Sequence, residues 1–164
     1  MAAPVTVTLD DAQAQALFAR LGDLVSRPAG PLRQSAQALR RLVYDTFQDQ
    51  ADPWGRRWQA WAPATRRDRT RRNSSGAILR DTGALYRSIN ATADDGGISV
   101  DASSEYASYH QFGNPGHRAW GGKPSPLAQR AFLPVRAPGV ADVPASWWPE
   151  ILFPVETALA RVAQ

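Results

Sequence analysis

His110 and His117 are the only imidazoles in this chain, so any acid–base or metal chemistry would have to start from them. Neither is accompanied by a carboxylate pair at a spacing that signals a glycosidase or a metal site. With no Cys, disulfides and thiolate zinc sites are excluded. Residues 113–122 are rich in glycine but carry neither GxGxxG nor the Gly-Lys-Ser/Thr of a phosphate loop. Ser, His and Asp all occur without a nucleophile-elbow pattern. The inventory therefore predicts a protein that is not an enzyme and needs no cofactor.

Arginine is the other residue type that could do chemistry, by attracting phosphates. Basic residues comprise 18 Arg and a single Lys, and the run Arg66, Arg67, Arg69, Arg71 and Arg72 is broken only by Asp68 and Thr70. Residues 56–72 hold seven Arg and one Asp; their +6 exceeds the +4 of the whole chain, so the remainder is net acidic. Few apolar residues and the following Asn73-Ser74-Ser75-Gly76 predict a mobile loop. Such a loop can contact DNA through a salt-dependent, sequence-independent attraction, pair with acidic residues of a neighbouring protein, or simply be solvated. No groove-reading motif accompanies it, which argues against sequence-specific DNA recognition.

At 164 residues and 43% hydrophobic the chain is long enough to bury one modest core, and a single domain over residues 1–164 is expected. No apolar run approaches the roughly 18 residues that span a bilayer, and the N-terminus lacks a signal-peptide pattern, so no membrane association and a cytosolic product are expected.

Several elements must hold these residues in place. Residues 1–9 alternate Val5, Val7 and Leu9 with threonines, a strand or an arm that becomes one on pairing with a neighbour. Asp10 and Asp11 then open a helix over about 10–25, with Leu17, Phe18, Leu21, Leu24 and Val25 at helical spacing. After a break at Arg27-Pro28-Ala29-Gly30-Pro31, Leu32, Ala36, Leu39, Val43 and Phe47 share one face of a main helix of about 18 residues, expected to lie across a sheet. Residues 52–83 read as a long loop, in which Trp54, Trp58 and Trp61 either pin the chain to that helix or contact another subunit.

Leu85 to Ala91 and Ile98 to Ala102 alternate around Asp94-Asp95-Gly96-Gly97, the pattern of a β-hairpin. A short helix is expected from Glu105, capped by Ser103 or Ser104 and ended by Gly113, with Tyr106, Tyr109 and His110 on one face and His110 as a packing residue. Residues 114–128, with three Pro and three Gly, read as a second long loop ordered only by neighbours. Residues 131–135 predict a strand that joins the hairpin, with Pro134 at its end. A helix from Trp147 to Arg161, capped by Ser146 and divided at Pro154, closes the chain. The predicted class is α+β: a small antiparallel sheet with a hairpin, packed by a long helix, with terminal helices and long loops.

Four signatures recur through this layout: Pro53-Trp54-Gly55 with Trp58; Leu79 through Thr82, Gly83 and Leu85 to Ser88; Tyr106-Ala107 with His110, Phe112 and Gly113; and Arg130-Ala131-Phe132-Leu133. In this order, over roughly residues 45–136, they resemble the phage virion morphogenesis family of tail-completion and head–tail neck proteins. The resemblance implies a structural virion protein that forms a ring, hexameric for a sixfold tail, at the neck or tail end. Its implied partners are copies of itself, tail-tube and head-connector proteins, with nonspecific contact to passing DNA through Arg66 to Arg72. A nonspecific nucleic-acid-binding protein is the alternative.

Overall fold

A computed structural model describes residues 15–16, 19–22, 28–73, 76–94, 97–118 and 122–162. The expected arm over 1–9 lies outside the described residues; of the expected helix over 10–25, residues 15–16 and 19–22 are described, and they are helical. No helix among the described residues is long and apolar enough to cross a membrane.

Helix α1, Ala29–Asp49, carries the predicted stripe and is slightly longer than expected. Pro28 sits at its N-cap and Pro31 in its first turn, where a missing N–H leaves no helical bond unmade, so these prolines start the helix instead of delaying it. Gln50 stops it in the left-handed region at φ 52°, its N–H bonded to the Thr46 carbonyl. Leu39, Leu42, Val43 and Phe47 are buried, while Arg33, Gln37, Arg40 and Arg41 face solvent.

The hairpin forms from β1, Ile89–Asp94, and β2, Gly97–Ala102, antiparallel with Ile89 opposite Ala102 and Asp94 opposite Gly97. Alternation puts Ile89, Ala91, Ile98 and Val100 on the more buried face, and both strands pack on α1. Leu85 and Arg87, read as the start of the first strand, instead lie in a helical turn. Helix α2 is Pro63–Arg71, and this turn is α3, Ala84–Arg87. Gly83 enters α3 at φ 74°, Thr82 Oγ1 accepts from the Ala84 N–H at 3.2 Å, and Ser88 Oγ donates to the Leu85 carbonyl at 2.8 Å. These local bonds close a turn that the two-residue alternation concealed.

The predicted loop over 66–72 is also corrected, because most of it is α2. Pro63 supplies a preset φ at the first helical position, and Asp68 reaches Arg71 and Arg72, each at 2.8 Å, at the (i, i+3) and (i, i+4) spacings a helix brings together. No residue of α2 is buried, so the apolar periodicity that marks most helices was missing.

Helix α4, Ala107–Phe112, begins later than expected and without a Ser side-chain cap; the Ala107 N–H instead bonds the Ser104 carbonyl at 2.9 Å. Gly113 ends it at φ 76°, as expected. A Cβ on Gly113 would lie 3.1 Å from both Gln129 N and the Leu127 carbonyl oxygen, so the position is closed to side chains by backbone on one side and by φ on the other. The loop over 114–128 folds back on itself through bridges pairing Asn114 with Leu127 and Arg118 with Pro124, so part of its order is internal.

Residues 131–134 do not join the hairpin. The strands that follow, β3, Val135–Ala137, and β4, Val140–Ala141, make a separate two-stranded sheet. The backbone of the apolar run is held by a side chain. Gln111, only 3% exposed, accepts through Oε1 from the N–H groups of Phe132 and Leu133, both at 3.0 Å. Its Nε2 donates to the carbonyls of Leu133 at 3.0 Å and Val135 at 2.7 Å. One carboxamide thus replaces the ladder of a neighbouring strand.

A 3₁₀ turn, Ala145–Trp147, leads into α5, Trp148–Val162, which packs on α1 through buried Trp147 and Ile151. No Ser146 side-chain cap forms, and α5 continues through Pro154 where a division was expected. The architecture is α+β, with the long helix against the hairpin as predicted.

Gln111→Ala should leave two buried N–H groups and two carbonyls without their partner and cost about 3 kcal/mol or more. Urea unfolding checks this; a loss under about 1 kcal/mol would show that the amide is not what holds the segment.

Candidate assembly site

The tryptophan signature is a turn organised by Asp52. Its Oδ1 accepts from the N–H groups of Trp54 at 3.0 Å and Arg56 at 2.8 Å, while Gly55 adopts φ 87° and bonds back to the Asp52 carbonyl. Pro53 is buried, and Trp54 is half-buried beneath the Arg136 guanidinium, 4.1 Å from its ring centroid. The turn aims Trp58 into the core, edge-on to Phe47 at 5.4 Å, with Nε1 donating to the Ala131 carbonyl at 2.8 Å. Phe47 also meets Phe132 at 5.4 Å. Signatures joined by a bond between residues 73 apart in sequence therefore share one core, and Trp58 belongs to that core in the single chain.

The remaining signatures build a cleft of about 800 Å³. Leu79, held in the left-handed region at φ 60°, forms part of its wall with Thr82, Gly83, Leu85, Tyr106 and His110. Tyr106 stands edge-on to His110 at 6.1 Å, whereas Tyr109, expected on the same face, projects to solvent. Ala107 and Phe132 are buried in the core, Leu133 packs half-buried against it, and Phe112 is half-buried.

Of the five arginines singled out in sequence, only Arg69 lines this cleft. Its guanidinium lies 4.3 Å from the Trp61 ring centroid and 3.5 Å from Asp81. Arg71 and Arg72 pair with Asp68, and Arg72 also with Asp81 at 3.4 Å. Those bonds hold the Asp68 carboxyl below its usual range and raise Arg72 above its own. Arg66 and Arg67 are exposed and form no ion pair with a described residue. The dense positive charge read from sequence is thus partly neutralised by Asp68 and Asp81.

Sequence reasoning assigned no role to two residues here, one of which, Arg130, opens the fourth signature. Arg130 is 8% exposed; its Nε donates to the Gln59 carbonyl at 2.9 Å and a terminal nitrogen to the Ala60 carbonyl at 3.3 Å. Burial and, after it, the charge of Arg69 press its pKa downward. Gln111 is the other, and the signal for both was a polar residue beside an apolar signature. His110 is held below its ordinary 6.5 by burial first and by Arg130 second, and its Nδ1 has no hydrogen-bond partner among the described residues. Among the described residues no group of three His, Asp or Glu is placed to hold a metal.

Trp58→Ala removes a buried indole with its hydrogen bond and should cost about 3–5 kcal/mol in the isolated chain. Unchanged thermal stability would place Trp58 outside the core. His110 gives a second expectation: with its folded pKa below the unfolded value of 6.5, stability should be full above that pH and fall as pH drops, because the unfolded chain takes the proton first. His110→Gln should flatten that part of the stability–pH curve; an identical slope in both proteins would refute the assignment.

The phage virion morphogenesis family model matches residues 9–143, which includes all four signatures and stops before α5. No curated protein and no solved structure matches the chain. On this span the chain belongs to the phage virion morphogenesis family, and its role is in building the phage virion.

Proposed function

We propose that the chain is a tail-completion or neck subunit that closes into a ring of its own copies, hexameric on a sixfold tail, and joins head to tail. The observation that carries this reading is the surface left apolar on α5. Trp148, Leu152 and Leu159 are more than two-fifths exposed and Phe153 is 66% exposed, an extent of uncovered apolar surface on one helix that supports an interface there. The open cleft adds a second recessed surface on the family's signature residues. Ring closure would bury both kinds of surface against neighbours, with tail-tube and connector proteins above and below. On this reading the subunit sits at the virion neck or tail end of the particle.

Arg66 and Arg67, exposed on α2, favour a second role in which the ring touches passing DNA without reading sequence. Mass measurement on the purified protein and on intact necks tests the ring, with a monomer in both overturning it. Replacing Arg66 and Arg67 with Gln should change stability by less than about 0.5 kcal/mol. If the pair contacts DNA, the same variant should lower the slope of log affinity against log salt by about 2. An unchanged slope would reject the DNA role.

A further inference from the structure

Phe153 is 66% exposed, more than any other large apolar residue among those described. On α5 it stands three residues after Glu150 and three before Glu156, so the two carboxylates lie about 60° to either side of it around the helix axis. Both are exposed, and neither forms an ion pair with a described residue. Ile151, buried where α5 packs on α1, lies on the other side of the helix. The outward face of α5 is therefore an apolar knob with a negative rim.

The cleft has the complementary character. Trp61, Leu79, Tyr106 and Pro126 give it apolar walls, and its volume of about 800 Å³ is ample for a phenyl ring. Its charged lining is Arg69 and Arg130 against Asp81, so cations exceed anions there. Both guanidiniums are bonded within the chain, and what the cleft offers is a positive field, not a vacant partner. No residue of α5 lines it, and α5 packs instead on α1 and on the 3₁₀ turn before it. Knob and recess are thus separate surfaces of one chain.

Pairing α5 with α5 through Phe153 would set the carboxylates of one copy against those of the other, and like charges oppose that contact. Pairing knob with recess brings unlike charges together. Because two different surfaces meet, such a contact runs head to tail and closes a ring when its rotation allows. We propose that Phe153 of one copy seats in the cleft of the next, its ring against Trp61 and Tyr106, with Glu150 and Glu156 turned toward the Arg69 and Arg130 side. The inference rests on the ring reading, whose subunit contact it names.

The test places p-benzoylphenylalanine, an aromatic photocrosslinker, at residue 153 of the full chain. This chain is combined in dilute solution with an equal amount of isotopically heavy wild-type chain, concentrated and irradiated. The expected adducts join light residue 153 to heavy peptides containing 59–65, 79–85 or 125–130. Glu150→Gln with Glu156→Gln in the light chain should reduce them about fivefold or more at low salt, with circular dichroism unchanged. Ala84→Trp in the heavy chain fills the cleft from an exposed position and should reduce them as much. Adducts to α5 of the heavy chain, adducts to any other region, or adducts insensitive to either variant would overturn the proposal. In intact necks, adducts to another virion protein in place of the cleft would assign α5 to that protein and overturn it too. Native mass on the wild-type chain separates this contact from the ring itself. A ring without cleft adducts sinks the contact alone, whereas a monomer without adducts sinks the ring as well.

Discussion

Everything on one side of the core depends on burying Phe132 without giving its backbone a strand to pair with. Phe132 is fully buried against Phe47, so the N–H and carbonyl groups around it are taken from water and must be bonded inside the protein. The Gln111 carboxamide meets that demand with two acceptor and two donor contacts. A planar amide has the donors and acceptor of a peptide unit, so it can stand in for a neighbouring strand at one point of the chain. This in turn fixes α4, because the same helix that carries Gln111 carries Ala107 into the core and His110 to the cleft.

The core and the cleft are two faces of one arrangement. Trp58 donates to the Ala131 carbonyl, the next residue Gln59 accepts from Arg130, and Arg130 N–H bonds the His110 carbonyl at 2.7 Å. The tryptophan turn, the cleft wall and the apolar run are therefore stitched by alternate groups of neighbouring residues. Displacing Trp58 would displace the cleft wall. The family signatures make physical sense as parts of this stitch: the glycines allow turns with positive φ, the aromatics fill the core, and polar groups beside them bond backbone that has no sheet to join.

Electrostatics follow the same logic at the surface. Asp68 and Asp81 tie Arg69, Arg71 and Arg72 to α2 and to the turn before α3, so most of the run of arginines acts first as local glue among exposed or half-exposed groups. Such pairs contribute little stability singly, but they set which guanidiniums remain available to a partner. Arg66 and Arg67 project outward and Arg130 points inward, giving the protein two distinct cationic features where the sequence suggested one.

The sequence by itself determined the elements whose signal is periodic or local. The α1 stripe, the hairpin turn at residues 94–97 and the glycine stop at Gly113 could all be read because period and positive φ are properties of neighbouring residues. The ordered signatures likewise led to the family. Tertiary structure decided the rest. Helix α2 buries nothing and so left no apolar period, α3 hid inside an alternation that suited a strand, and α5 ran through Pro154 because its packing on α1 outweighed one lost helical bond. Above all, whether residues 131–134 would pair with the hairpin or be gripped by Gln111 depended on which polar group lay within 3 Å in space, and no spacing along the chain encodes that distance.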